Sequence, residues 1–203
     1  MVRKREPGGS KRLQFGLSSM LATALMLALL FGYLRPFGPD AVAVCGLVVL
    51  VAALVGGIAG AVAGRNPDTL FWSVIGAVFA YLAVVGFALY HWSSAYIWPL
   101  VGMAAGTTVG AFGQGRPVRR MAFGSLAATA VFASYVLLLF GLNPDLGYEL
   151  LCAVLGGALL GLVAEIAERF EKRTAIPRYV LATALVVAAI LGHWIVPRVI
   201  PGL

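Results

Sequence analysis

Two dipeptides carry the residue types best suited to chemistry: His91-Trp92 and His193-Trp194, which hold both histidines of the chain. Imidazoles at matching positions on two helices can converge on a metal ion or a haem iron, and Asp40, Asp145 and Glu149 fall in neighbouring connections within reach of such a site. The same positions also read as an interfacial belt. Trp and Tyr favour headgroup depth, and Tyr33, Tyr90, Tyr96, Trp98 and Tyr148 fall at that level. The belt is the expectation here, because residues 141–144 read Gly-Leu-Asn-Pro where a third His-Trp would fall. No cofactor is expected, and His91 and His193 stand as the candidate metal pair.

Other catalytic sets are missing from the sequence. There is no HExxH and no GxSxG, and the central portions of the apolar stretches carry no charged side chain. Intramembrane charges usually mark proton or ion paths, so coupled pumping is not expected, nor is an enzyme. The milder polar residues include Thr107 and Thr108, set between glycines, where they could line a small pocket. Tyr81 and Tyr135, deep in their stretches, each need a buried partner for the phenol. Most other hydroxyls are expected to bond back to a helix carbonyl.

The elements that would position these residues follow from composition. The chain has 203 residues, 61% hydrophobic and 11% charged, with a mean hydropathy of +0.95. A soluble domain carries roughly 25% charged residues, so a soluble fold is not expected. About 20 helical residues cross a bilayer core, and stretches near that length fall at 13–34, 41–64, 70–90, 95–113, 121–141, 148–166 and 179–196. Lipid offers the backbone no hydrogen-bond partner, and the barrel-strand alternation of polar and apolar residues is absent. The expected fold is all-α: a polytopic bundle of seven transmembrane helices over 13–203, preceded by a basic tail at 1–12.

The net charge of +7 is a topology signal rather than a nucleic-acid footprint. With the N-terminus inside, the inner segments hold the five basic residues of the tail, then Arg65, then Arg116, Arg119 and Arg120, then Arg169, Lys172, Arg173 and Arg178. Only Arg35 and Arg198 fall outside, which predicts N-in, C-out. The first apolar run is too long for a signal-peptide core, so an uncleaved first helix is expected. Cys45 and Cys152 near the outer ends of spans two and six are close enough in depth for a disulfide, but read better as small packing residues.

The chain repeats itself. Gly56, Gly60, Ala61 and Pro67 match Gly106, Gly110, Ala111 and Pro117 at an offset of 50 residues. Residues 50–63 match 151–164 at seven of fourteen positions, and 78–92 match 180–194 at seven of fifteen. Three helical hairpins at about 41–92, 95–142 and 148–196, after one leading helix, account for the pattern. Gly56, Gly60 and Gly64 share a helical face, as do Gly102, Gly106 and Gly110, and Gly157 and Gly161. Small residues four apart let helices approach where lipid supplies no hydrophobic drive, so these glycines are expected to pack the even-numbered helices around a common centre. Oligomerisation, or a glycine-lined path, is the sharper alternative.

Beyond residue 164, Glu165, Glu168, Arg169, Glu171, Lys172 and Arg173 extend the sixth helix into the cytoplasm. Glu165 to Arg169 and Glu168 to Lys172 are i to i+4 in the favourable order, the pattern of a solvated helix end. A partner docking there is the alternative.

The opening helix, with Arg12, Gln14, Phe15 and Leu17 ahead of a Leu-rich run, resembles the start of many uncharacterised bacterial membrane proteins, notably planctomycete ones; Gly16 replaces the usual serine. The resemblance covers about twenty residues, implies a bacterial inner membrane and carries no activity. The expectation is a non-enzymatic membrane subunit packed through glycine-rich helices, in the lipid bilayer, associating with itself or another membrane protein and not with nucleic acid. The alternative is a facilitator or substrate-binding transporter component for a small uncharged or amphipathic solute.

Overall fold

The computed structural model describes residues 17–86, 92–113, 117–139 and 147–174, together with Val180, Leu181, Ala184 and Ala188, which are helical. Six long helices fill these stretches: α1 (Leu17–Leu34), α2 (Pro39–Val62), α3 (Asn66–Gly86), α4 (Trp92–Phe112), α5 (Pro117–Leu139) and α6 (Gly147–Thr174), with a 3₁₀ turn at Arg35–Phe37. Among the described residues there is no strand. Among the described residues four helices are long and apolar enough to cross a membrane, Pro39–Val62, Pro67–Val85, Pro117–Leu139 and Gly147–Thr174, and Ile97–Phe112 is a shorter apolar one. Most of the expected seventh stretch lies outside the described residues.

Local sequence explains the boundaries. Proline sits in the first turn of α2, and Asp40 adds a carboxylate to the positive end of the helix dipole. The end of α2 is a Schellman turn: the Arg65 amide donates to the Gly60 carbonyl at 2.7 Å and the Gly64 amide to Ala61 at 3.3 Å. That turn needs the left-handed conformation Gly64 adopts, at φ +68°. Gly64 therefore departs from its expected packing role, since nothing lies within 4 Å of where its Cβ would stand.

Beside α4, which packs on α2, α3, α5 and α6, lies α3. Its apolar stretch is 56% buried, against 17% for α2, 17% for α5 and 28% for α6. Trp72, Ile75, Val78, Tyr81 and Leu82 are buried along it. One end packs with Leu30, Leu34 and Cys45 of α1 and α2, and the other with Val109, Ala164 and Ala167 of α4 and α6. A third cluster, built on Val101, Ala105, Ala128, Phe132 and Ala153, joins α4, α5 and α6.

The glycines of the even-numbered helices meet odd-numbered ones rather than one another. A Cβ at Gly56 would lie 2.6 Å from Ser73 Cβ and 2.9 Å from Leu70 Cα of α3. Along α4, Gly102 faces the Gly76 carbonyl, Gly106 the Trp72 carbonyl, and Gly110 would bring a Cβ to 2.6 Å from Thr69 Cα. On α6, Gly157 lies on Gly124 and Gly161 on Arg120, both of α5. Glycine is thus used where α2 and α4 press on α3 and where α6 presses on α5. Gly60 is buried in α2.

Candidate functional site

Hydroxyls pin these close contacts. Ser73 donates to the Ala52 carbonyl at 2.8 Å, one turn from Gly56. Ser125 donates to Val154 at 2.9 Å, one turn from Gly157. Thr108 donates within α4 to Ala105 at 2.9 Å and lies 3.2 Å from the Phe123 carbonyl of α5. Thr107 bonds back to Met103 at 2.8 Å. Tyr81 reaches from α3 to the Ala41 carbonyl of α2 at 2.8 Å, while Tyr135 packs against the α4–α5–α6 cluster. Thr107 and Thr108 are neighbours on α4, whereas Tyr81 bonds to α2 and Tyr135 lies in the α4–α5–α6 cluster, and the hydroxyls of Thr107, Thr108 and Tyr81 are spent on carbonyls.

A polar cluster forms where α2, α4 and α6 end and α3 and α5 begin. Arg120, in the first turn of α5, is 5% exposed. Its Nε donates to the Gly113 carbonyl at the end of α4, and its Nη1 to the Ala164 carbonyl of α6 at 3.1 Å. Nη1 also lies 3.4 Å from Glu165, and Nη2 pairs with Glu168. From the other side, Arg65 donates to the Ala111 carbonyl at 3.4 Å and lies 3.5 Å from Asp68. Two guanidinium groups therefore reach the terminal carbonyls of α4. Those carbonyls have no partner inside their own helix, and the helix dipole places partial negative charge there, so cations are favoured.

Each α6 carboxylate is shared. Glu165 also pairs with Arg169 at 2.8 Å, and Glu168 with Lys172 at 2.5 Å. Charged residues of α6 begin at Glu165, so Glu168 falls in the polar end of the helix, outside its apolar run. Burial pushes its carboxyl up, but hydrogen bonds and charge from Lys172 and Arg120 more than offset this and hold it down, to about 2. The guanidinium is thus opposed by a carboxylate that stays ionised at neutral pH. The recess left between Arg65, Asp68, Trp72, Arg120 and Glu168 measures about 10 Å³, roughly the space a single water needs. A second, wholly apolar groove of about 150 Å³ runs between α2 and α4 over Ala77.

Arg120 was expected only as an inner-face charge, and Glu165 and Glu168 as solvated helix pairs. A signal for the cluster does exist: Arg120 continues the buried Gly124, Ala128, Phe132 face of α5 by one turn, and Glu165 follows Gly161 by four. Among the described residues, no three His, Cys, Asp or Glu side chains gather as a metal site. His91 and His193 lie outside the described residues. Cys45 is buried and Cys152 half-buried, both as free thiols.

Four apolar helices of this length among the described residues define a helical membrane protein. Compared with protein-family models, curated proteins and solved structures, the chain matches none.

Proposed function

We propose that the chain is a non-enzymatic, multi-pass subunit of a bacterial inner membrane, with seven spans oriented N-in and C-out, whose role is to associate with a second copy or another membrane protein. The carrying observation is the filled glycine seam. At Gly102, Gly106 and Gly110 the space beside α4 is occupied by the main chain of α3, so the glycines build contact rather than a path. Hydroxyls that would line a polar passage bond to carbonyls instead. The orientation rests on the gathering of Arg65, Arg120, Arg169 and Lys172 at one end of the bundle, and the seven-span count on the apolar run at 179–196.

Two measurements on the full chain test this reading together. In nanodiscs cut directly from the membrane, its mass is expected to exceed that of one polypeptide. In proteoliposomes, small neutral solutes are expected to enter no faster than in protein-free vesicles. A solitary chain showing saturable solute flux overturns the proposal in favour of a facilitator.

A further inference from the structure

We propose that Arg120 is a latch that holds the charged end of α6 closed against α3 and α4, and that this end can part from the bundle while the rest of α6 stays packed. The argument starts from what holds each part of α6. Around Gly157 and Gly161 the main chains of α5 and α6 are in direct contact, a seam with no side chain to rearrange. Beyond Gly161 the fully buried side chains are Ala164 and Ala167, 1% and 2% exposed, small groups set against Trp72, Ile75 and Val109 with the half-buried Val163 beside them. Closure there depends on the Arg120 guanidinium, which bonds to the Ala164 carbonyl and to both carboxylates.

The pairing is asymmetric in a way that permits opening. Arg169 and Lys172 lie on α6 itself, one turn from the carboxylates they neutralise, so they travel with it. When α6 swings out, Glu165 and Glu168 each keep a cation. Arg120 keeps the Gly113 carbonyl, on α4's end. Opening therefore strands no lone carboxylate, unlike the usual rupture of a buried ion pair, and a local motion of this kind draws on the least apolar part of the helix.

The test uses the full chain in nanodiscs, with Cys45 and Cys152 replaced by alanine and a single reporter thiol introduced by Ala167→Cys. A water-soluble maleimide is expected to label it slowly, and Arg120→Gln is expected to raise the rate on the order of tenfold or more. A reporter at Ala153→Cys, 1% exposed near the other end of α6, is expected to stay protected in both backgrounds. An unchanged rate at position 167, or an equal rise at both positions, overturns the latch. Should Arg120→Gln not yield folded protein, Glu168→Gln removes one partner only. It is expected to speed labelling at 167 by a smaller factor with 153 unchanged, and no increase there overturns the proposal.

Discussion

Gly161 lies directly on the main chain of Arg120: a methyl group placed on it would meet the Arg120 carbonyl oxygen at 2.5 Å. The absence of a side chain thus brings the α5 backbone onto α6, and it is this approach that lets the Arg120 guanidinium reach the Ala164 carbonyl, 3.1 Å away. Close packing and the polar cluster are one construction. In lipid, where apolar contact between helices gains little over contact with acyl chains, backbone proximity is what makes such carbonyls reachable.

Adjacent glycines separate contact from composition. Gly157 sits against Gly124 and would bring a Cβ to 2.8 Å from Ser125 Cα, whereas Gly156 has nothing within 4 Å. Gly157→Ala is expected to lower stability by about 1–3 kcal/mol through overpacking. Gly156→Ala is expected to be neutral, or to stabilise by up to about 1 kcal/mol through helix propensity. Unfolding of the two variants in mixed micelles checks the difference, and equal effects would mean that α6 does not meet α5 on this face.

The Schellman turn gives a second expectation. Gly64 holds φ at +68° in open space, so Gly64→Ala is strained by its backbone and not by any neighbour. A loss of about 1 kcal/mol is expected, and Gly64→Asn, which tolerates this region better, should recover part of it. A larger cost for asparagine than for alanine would point to crowding instead.

The helices were legible in the sequence because each is a long apolar run bounded by Pro, Gly or charge: Pro39, Gly64 and Pro117 fall at or near the ends of described helices, while α6 continues through its charged residues to Thr174. What periodicity does not report is which helices meet. Glycine spacing drew attention to α2, α4 and α6 but not to the helices they press on, α3 and α5, where the buried Trp72 and Leu82 look from sequence like any lipid-facing run. The Arg120 cluster was hidden for a related reason. Its pairs join residues 45 and 48 positions apart, whereas Glu165–Arg169 and Glu168–Lys172 offer a complete local explanation for the same carboxylates. A satisfied local pattern gives no cue that a distant guanidinium shares it.

Interhelical hydroxyls should matter only where they cross. Ser73 is buried and bonds to Ala52 of α2 at 2.8 Å, while Ser134 is exposed and bonds back to Ala130 at 2.7 Å. Ser73→Ala is expected to cost roughly 0.5–2 kcal/mol, and Ser134→Ala nothing measurable, since its carbonyl partner keeps its helical bond. Thermal unfolding in one detergent compares them, and a cost at Ser134 equal to that at Ser73 would show that the α2–α3 bond is not a tie between helices.

Charge exchange weighs the ion pair apart from side-chain volume. Arg120→Ala takes one of two cations from Glu165, which is 14% exposed and keeps Arg169, so the cost should fall below the about 3–5 kcal/mol of a buried pair broken to leave a lone charge. Glu168→Ala should cost less, because Glu168 is 34% exposed and water screens what it loses. If the two act through each other, the double variant costs less than the sum of the single ones, by about 0.5–3 kcal/mol. Strict additivity would mean that Arg120 is held by the Gly113 and Ala164 carbonyls alone, and that Glu168 serves only Lys172. Combining Glu168→Ala with Lys172→Ala supplies the matching value for the local pair, which as a solvated i to i+4 contact is expected to couple by no more than about 0.5 kcal/mol.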